Sequence, residues 1–144
     1  MTDSQSTLNQ SVADLSQMSA LIHQTHWYMR GKGFLTLHPK MDELRDGIEE
    51  ILDEIAERLI TVGGAPYSTL TEFAEHAQIK LAPTTYDIDM KTRLSNLTKA
   101  YKTLQKSFAD AVKSTESDPV TQDIYIGALG QIDKLLWMLD AELA

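Results

Sequence analysis

Apolar residues return at every third or fourth position through four long stretches of this chain. That spacing limits the fold more than any other feature, because at about 3.6 residues per turn it puts one greasy stripe on each of four helices. The first stretch runs from about Thr7 to Met29. It places Leu8, Val12, Leu15, Ile22 and His26 near one face, and Gly31 and Gly33 end it. Thr36 is the expected N-cap of the second, with Pro39 tolerated in its first turn; Gly63-Gly64 and then Pro66 stop it after Val62. The third spans about Asp87 to Lys113 and carries Met90, Leu94, Leu97, Tyr101, Leu104 and Phe108. The fourth opens at Asp118-Pro119, a capping residue followed by proline at the first helical position. It continues through Ile124, Ala128, Ile132, Leu135, Leu136 and Leu139. No stretch alternates with the period of two that a half-buried strand needs. The chain is expected to be all-α.

Two of the connections are short. The middle one, from Gly63 to about Tyr86, is long, and "TLTEFAEHA" inside it has the composition of a short extra helix. Four helices with one long crossover is the ferritin-like arrangement rather than the simple up-and-down bundle. With 144 residues the chain is long enough for one proper core, and it is expected to form a single domain over 1–144. There is no cysteine, which excludes disulfides and thiolate metal sites. A net charge of −8 repels nucleic acid and attracts cations. No apolar run is long enough to span a bilayer, and "MTDSQSTLNQ" lacks the layout of a signal peptide. The expected location is the cytoplasm, with no membrane partner.

The second helix has two unlike faces. Met41, Leu44, Ile48, Ile51, Leu52, Ile55 and Leu59 form a broad apolar stripe. His38, Asp42, Glu49, Asp53 and Glu57 gather on roughly the opposite side. From Met41 to Val62 only Arg45 and Arg58 are basic, so this stripe repels itself unless a cation or a partner neutralises it. The simplest alternative is a solvated charged face. His26 lies near the end of helix one and His38 and Asp42 near the start of helix two, so a short turn makes them neighbours. Asp53 stands 11 positions beyond Asp42, about 16 Å along the axis, whereas metal–ligand bonds are about 2 Å. One subunit therefore cannot gather all five groups. An antiparallel two-fold partner could supply Asp53 and Glu57 to His26, His38 and Asp42, and an isologous dimer would then hold two such sites.

These residues resemble the Dps family, the miniferritins, over almost the whole chain. The resemblance rests on His26-Trp27, the turn at Gly31, His38 with Asp42, the run Asp53-Glu54-Ile55-Ala56-Glu57-Arg58, the stop at Gly63-Gly64, and "IDKLLWML" near the end. It implies a hollow homododecamer of ferritin-like subunits with a ferroxidase centre at each two-fold interface. His26, His38 and Asp42 would come from one chain and Asp53 and Glu57 from the other. It implies iron as the metal, oxidised from Fe(II) to Fe(III) with hydrogen peroxide or oxygen and stored as a ferric mineral. Asp42 and Glu57 would be the strongest ligands, and Asp53 would bind directly or through a histidine or water.

Trp27 and Tyr28 adjoin His26 and could scavenge a stray oxidising equivalent, although packing the helix end is the simpler role. Asp118 and Asp123 are candidates for an acidic iron pore, against plain helix-capping and first-turn roles. His23 and His76 read as ordinary surface residues. Family members that bind DNA often use a Lys/Arg-rich tail. "MTDSQSTLNQ" has no lysine or arginine and "DAELA" is acidic, so DNA binding is not expected. Two other functions compete with iron oxidation: a DNA-compacting architectural protein with incidental iron binding, and a non-catalytic helical module whose acid stripe meets a basic partner.

Overall fold

The computed structural model of the protein describes residues 3–144. It contains five helices and, among the described residues, no strand: α1 Asp3–Tyr28, α2 Phe34–Thr61, α3 Leu70–His76, α4 Met90–Ser114 and α5 Pro119–Leu143. The four long helices follow the four apolar stripes, and the short α3 falls within "TLTEFAEHA". α1 packs most extensively on α2 and α4 on α5, and α1 also packs on α4. Each helix sends its stripe inward. Leu8, Leu15 and Ile22 of α1 meet Ile48, Ile55 and Leu59 of α2, Leu97, Leu104 and Phe108 of α4, and Tyr125 and Ile132 of α5 in one buried cluster. Burying a side chain of this size contributes about 1.5–3 kcal/mol, so the stripes carry most of the bundle's stability.

The helix ends show where local chemistry sets the boundaries. Asp89 caps α4 by accepting from the Thr92 backbone N–H at 2.7 Å. Thr69 and Glu72 cap α3 reciprocally, the Thr69 hydroxyl accepting from the Glu72 N–H and the Glu72 carboxylate from the Thr69 N–H. α2 departs from expectation. It begins at Phe34, with Gly33 rather than Thr36 as its N-cap and with no side-chain cap. Gly33 has φ +93°, and its carbonyl accepts from the Thr36 and Leu37 N–H groups at 3.1 and 2.8 Å. A left-handed glycine starts the turn that Thr36 was expected to start. Pro39 consequently lies inside α2. Its missing N–H deprives the Leu35 carbonyl of a helical donor, at a residue that is 88% exposed and so open to water. α1 also starts earlier than expected, at Asp3.

The long crossover, residues 62–89, lies against α1 because polar side chains hold it there. Asn9 donates to the Ala65 carbonyl and accepts from the Tyr67 N–H. Asp14, buried, accepts from the Gln78 N–H at 2.6 Å. Burial pushes the Asp14 carboxyl above the usual range, against the hydrogen bonds from Gln78 and Gln10 that pull it down. Further along, Gln24 donates to the Ala82 carbonyl, and Arg93 of α4 donates to Thr84 Oγ1 and to the Thr85 carbonyl. The crossover thus travels the length of α1 and returns the chain at the end of the bundle where α1 stops, so α4 runs antiparallel to α1 and in the same direction as α2.

Candidate metal centre

The last turn of α1 and the first turns of α2 meet across the loop of residues 29–33. Met29 is buried and plugs the loop, while Gly31 and Gly33 take φ +106° and +93°, a region that costs other residues about 1–2 kcal/mol. This tight return puts His26 beside His38. Their rings stack with centroids 3.6 Å apart and planes 10° apart. His26 Nδ1 lies 2.7 Å from the His38 carbonyl, and His38 Nδ1 lies 2.9 Å from the His26 carbonyl. A carbonyl oxygen only accepts, so each Nδ1 must carry the proton. In its neutral form such a ring has its lone pair on Nε2, the arrangement of a metal-binding histidine oriented through its other nitrogen. Phe34 stacks on His38 at 4.6 Å and holds that ring from the far side.

Asp42 adjoins His26 within this chain. Its Oδ1 stands 3.7 Å from His26 Nε2, with the histidine side chain 13% exposed and the carboxylate 65% exposed. His26 therefore lies at the edge of the apolar face of α1 and opens towards Asp42. Asp53 and Glu57 are exposed further along α2 and do not join them. Among the described residues, no three histidine or carboxylate groups of one chain converge to hold a metal ion. Both arginines of the helix are committed elsewhere, Arg45 to Glu49 at 3.7 Å and Arg58 to Asp118 at 3.1 Å.

Other expectations change. Glu49 is not a free member of the acid stripe, because the buried Ser19 hydroxyl donates to its Oε1 at 2.6 Å. That part of the stripe is tied to α1, although the Glu49 side chain remains 44% exposed. Asp118 caps α5, accepting from the Thr121 hydroxyl at 2.6 Å and from Arg58. The Thr121 hydroxyl first, its N–H, and the Arg58 guanidinium hold the Asp118 carboxyl below the usual range. Asp118 thus serves as a structural cap, whereas Asp123 is exposed. His23 is not an ordinary surface residue. It stacks on Trp27 at 4.4 Å, and partial burial, then Arg45, push its pKa down. His76, though exposed, stacks on Tyr67 at 4.2 Å.

The ferritin-like domain model matches residues 5–144. The "DNA protection during starvation protein" of Streptococcus suis strain P1/7 is 46% identical over 145 aligned positions, covering 99% of this chain and 84% of that protein. The chain belongs to the Dps family of ferritin-like proteins. The X-ray structure of Dps from Listeria monocytogenes superposes with a TM-score of 0.96 at 41% identity, covering 99% of this chain and 94% of that one. Dps from Listeria innocua soaked with cobalt gives the same TM-score and identity, covering 99% and 93%. Membership brings iron storage as the function at the level of the family. Within this Dps-family chain, His26 is the candidate residue that touches two others, His38 through the ring stack and Asp42 at 3.7 Å. Sequence reasoning missed Phe34 and Ser19. The i, i+4 spacing of Phe34 and His38 was a usable signal; the Ser19–Glu49 bond, across 30 positions, left none.

Proposed function

We propose that the protein oxidises Fe(II) with hydrogen peroxide or oxygen and stores the ferric product inside a hollow dodecamer. The observation that carries this reading is the orientation of His26 and His38. Each ring pairs its Nδ1 with a backbone carbonyl, which directs Nε2 away from that carbonyl, and His26 Nε2 lies 3.7 Å from the exposed Asp42 carboxylate. Neutral imidazole nitrogen with carboxylate oxygen is a donor set suited to first-row metals. The substrate ion would be held by His26, His38 and Asp42 of one subunit with Asp53 and Glu57 of the partner subunit. Three carboxylates oppose the charge of the bound cations, and the self-repulsion of the acid stripe is relieved by the same ions. Two Fe(II) ions deliver two electrons to one peroxide, which leaves as water, so no hydroxyl radical need be released.

The relative in Streptococcus suis is named for DNA protection. In this reading protection comes from removing Fe(II) and peroxide rather than from coating DNA, in keeping with the net charge of −8. The test is anaerobic addition of Fe(II) and then peroxide, followed by the growth of ferric absorbance. The protein should speed oxidation well above the buffer rate and keep the iron in solution. Oxidation at the buffer rate overturns the proposal. Anomalous scattering at the iron edge from an Fe(II)-soaked crystal should place the ion at His26 and Asp42.

A further inference from the structure

We propose that Tyr28 and Tyr86 form a built-in oxidation sink, joined by a covalent carbon–carbon bond when excess peroxide meets iron in this protein. The inference rests on the iron chemistry proposed above for its oxidant. Tyr28 is the last residue of α1, and Tyr86 lies in the turn before α4. Their ring centroids are 4.9 Å apart with planes 38° apart. Two arginines close the stack. Arg30 lies 3.6 Å over the Tyr86 ring, and Arg93 lies 5.8 Å from the Tyr28 centroid. Arg93 also binds Thr84 and the Thr85 carbonyl, the two residues before Tyr86, so it seats that turn against the end of α1. Tyr86 is 50% exposed and sits outside any helix, with its ring already against Tyr28.

Tyr28 stands two positions after His26, on the other side of α1 and within the ~10–12 Å width of a helix. An oxidising equivalent lost from the centre therefore meets Tyr28 across one helix, and one lost to solvent meets Tyr86. The chain has no cysteine to compete for it. The step balances. Each phenol gives up one electron and one proton. The two phenoxyl radicals couple at ring carbons next to the oxygens, and proton shifts restore both hydroxyls. One hydrogen peroxide accepts the two electrons and two protons and becomes two waters. The product is lighter than the parent by two hydrogen atoms and ties the end of α1 to the crossover.

The experiment loads the assembled protein with Fe(II), adds excess peroxide, digests it and maps the peptides. The expected result is one linked pair containing Tyr28 and Tyr86, two hydrogens light, with the blue fluorescence of dityrosine and the mobility of a single chain on a denaturing gel. Tyr28→Phe and Tyr86→Phe should each abolish the link while iron oxidation continues. Unlinked Tyr28 and Tyr86 peptides from protein that has oxidised its iron overturn the proposal. So does a link found only between chains. A parallel arm uses light-driven one-electron oxidation by a ruthenium tris-bipyridyl complex with persulfate, which needs no iron. If the protein fails to oxidise iron at all, the iron reading fails separately, and this arm alone decides the pair: a Tyr28–Tyr86 link supports the site and its absence overturns it.

Discussion

His26 and His38 bind each other's backbone carbonyls, so the two rings are oriented before any metal arrives. Orientation of this kind matters because loss of groups that merely position a metal's ligands costs about 10–100-fold in affinity or activity. Asp42→Ala and Glu57→Ala are each expected to slow Fe(II) oxidation by at least that range, read as initial rates of ferric absorbance. Both side chains are exposed, so the melting temperature should barely move. Parent rates in both variants would rule out the ligand assignment. His26→Ala should lose activity too, but its partly buried, stacked ring makes a melting curve a necessary companion measurement.

Helix boundaries in this chain are set by caps and glycines, and each has a measurable consequence. Asp118 holds the start of α5 through Thr121 and reaches back to Arg58 on α2. Asp118→Asn keeps a capping oxygen but removes the charge that faces Arg58, so it should lower stability at neutral pH through the lost ion pair rather than through a lost cap. Because the folded state depresses the Asp118 pKa, its contribution is present above the ordinary carboxylate range and is lost as pH falls through the folded value. The gap between parent and variant in denaturant melts should therefore close in acid. A gap that stays constant with pH would show that the charge is irrelevant. Just past the C-terminal end of α2, Gly63 takes φ +88°. Gly63→Ala should cost about 1–2 kcal/mol for the left-handed conformation, read as a lower denaturation midpoint with an unchanged slope.

The whole molecule offers the sharpest test of the proposed centre, because Asp53 and Glu57 lie too far along α2 to meet His26, His38 and Asp42 within one chain. Shells made only of His26→Ala or only of Asp53→Ala chains lack one ligand at every site. When the two are unfolded, mixed equally and reassembled, half the dimers are mixed. Each mixed dimer has one site with both defects and one with neither, so about a quarter of all sites regain every ligand. Fast oxidation should return in part to the mixture although neither parent shell shows it. A mixture no faster than the average of its parents, with shells correctly reassembled, would place the site within one chain. The surface charge gives a second molecular-scale prediction. At −8 the protein should not retard plasmid DNA near neutral pH in moderate salt with a chelator present. A salt-sensitive shift that survives the chelator would reveal a basic surface.

Helix number, the order of long and short connections, and the separation of Asp42 from Asp53 follow from the sequence alone, because a 3.6-residue period and a 1.5 Å rise are local properties of the chain. Turn stops at Gly63 and the caps Asp118 and Thr69 are local too. Thr36 misled because it competes with Gly33, and only the packed hairpin decides which residue opens α2: the close return of α2 on α1 requires the left-handed glycine. The protonated nitrogen of each histidine, the capture of Glu49 by Ser19, and the meeting of Tyr28 with Tyr86 depend on partners 12, 30 and 58 positions away. No periodicity encodes such pairings. They arise when the crossover lies down along α1 and the helices choose their register, which is a property of the packed core and not of any one segment.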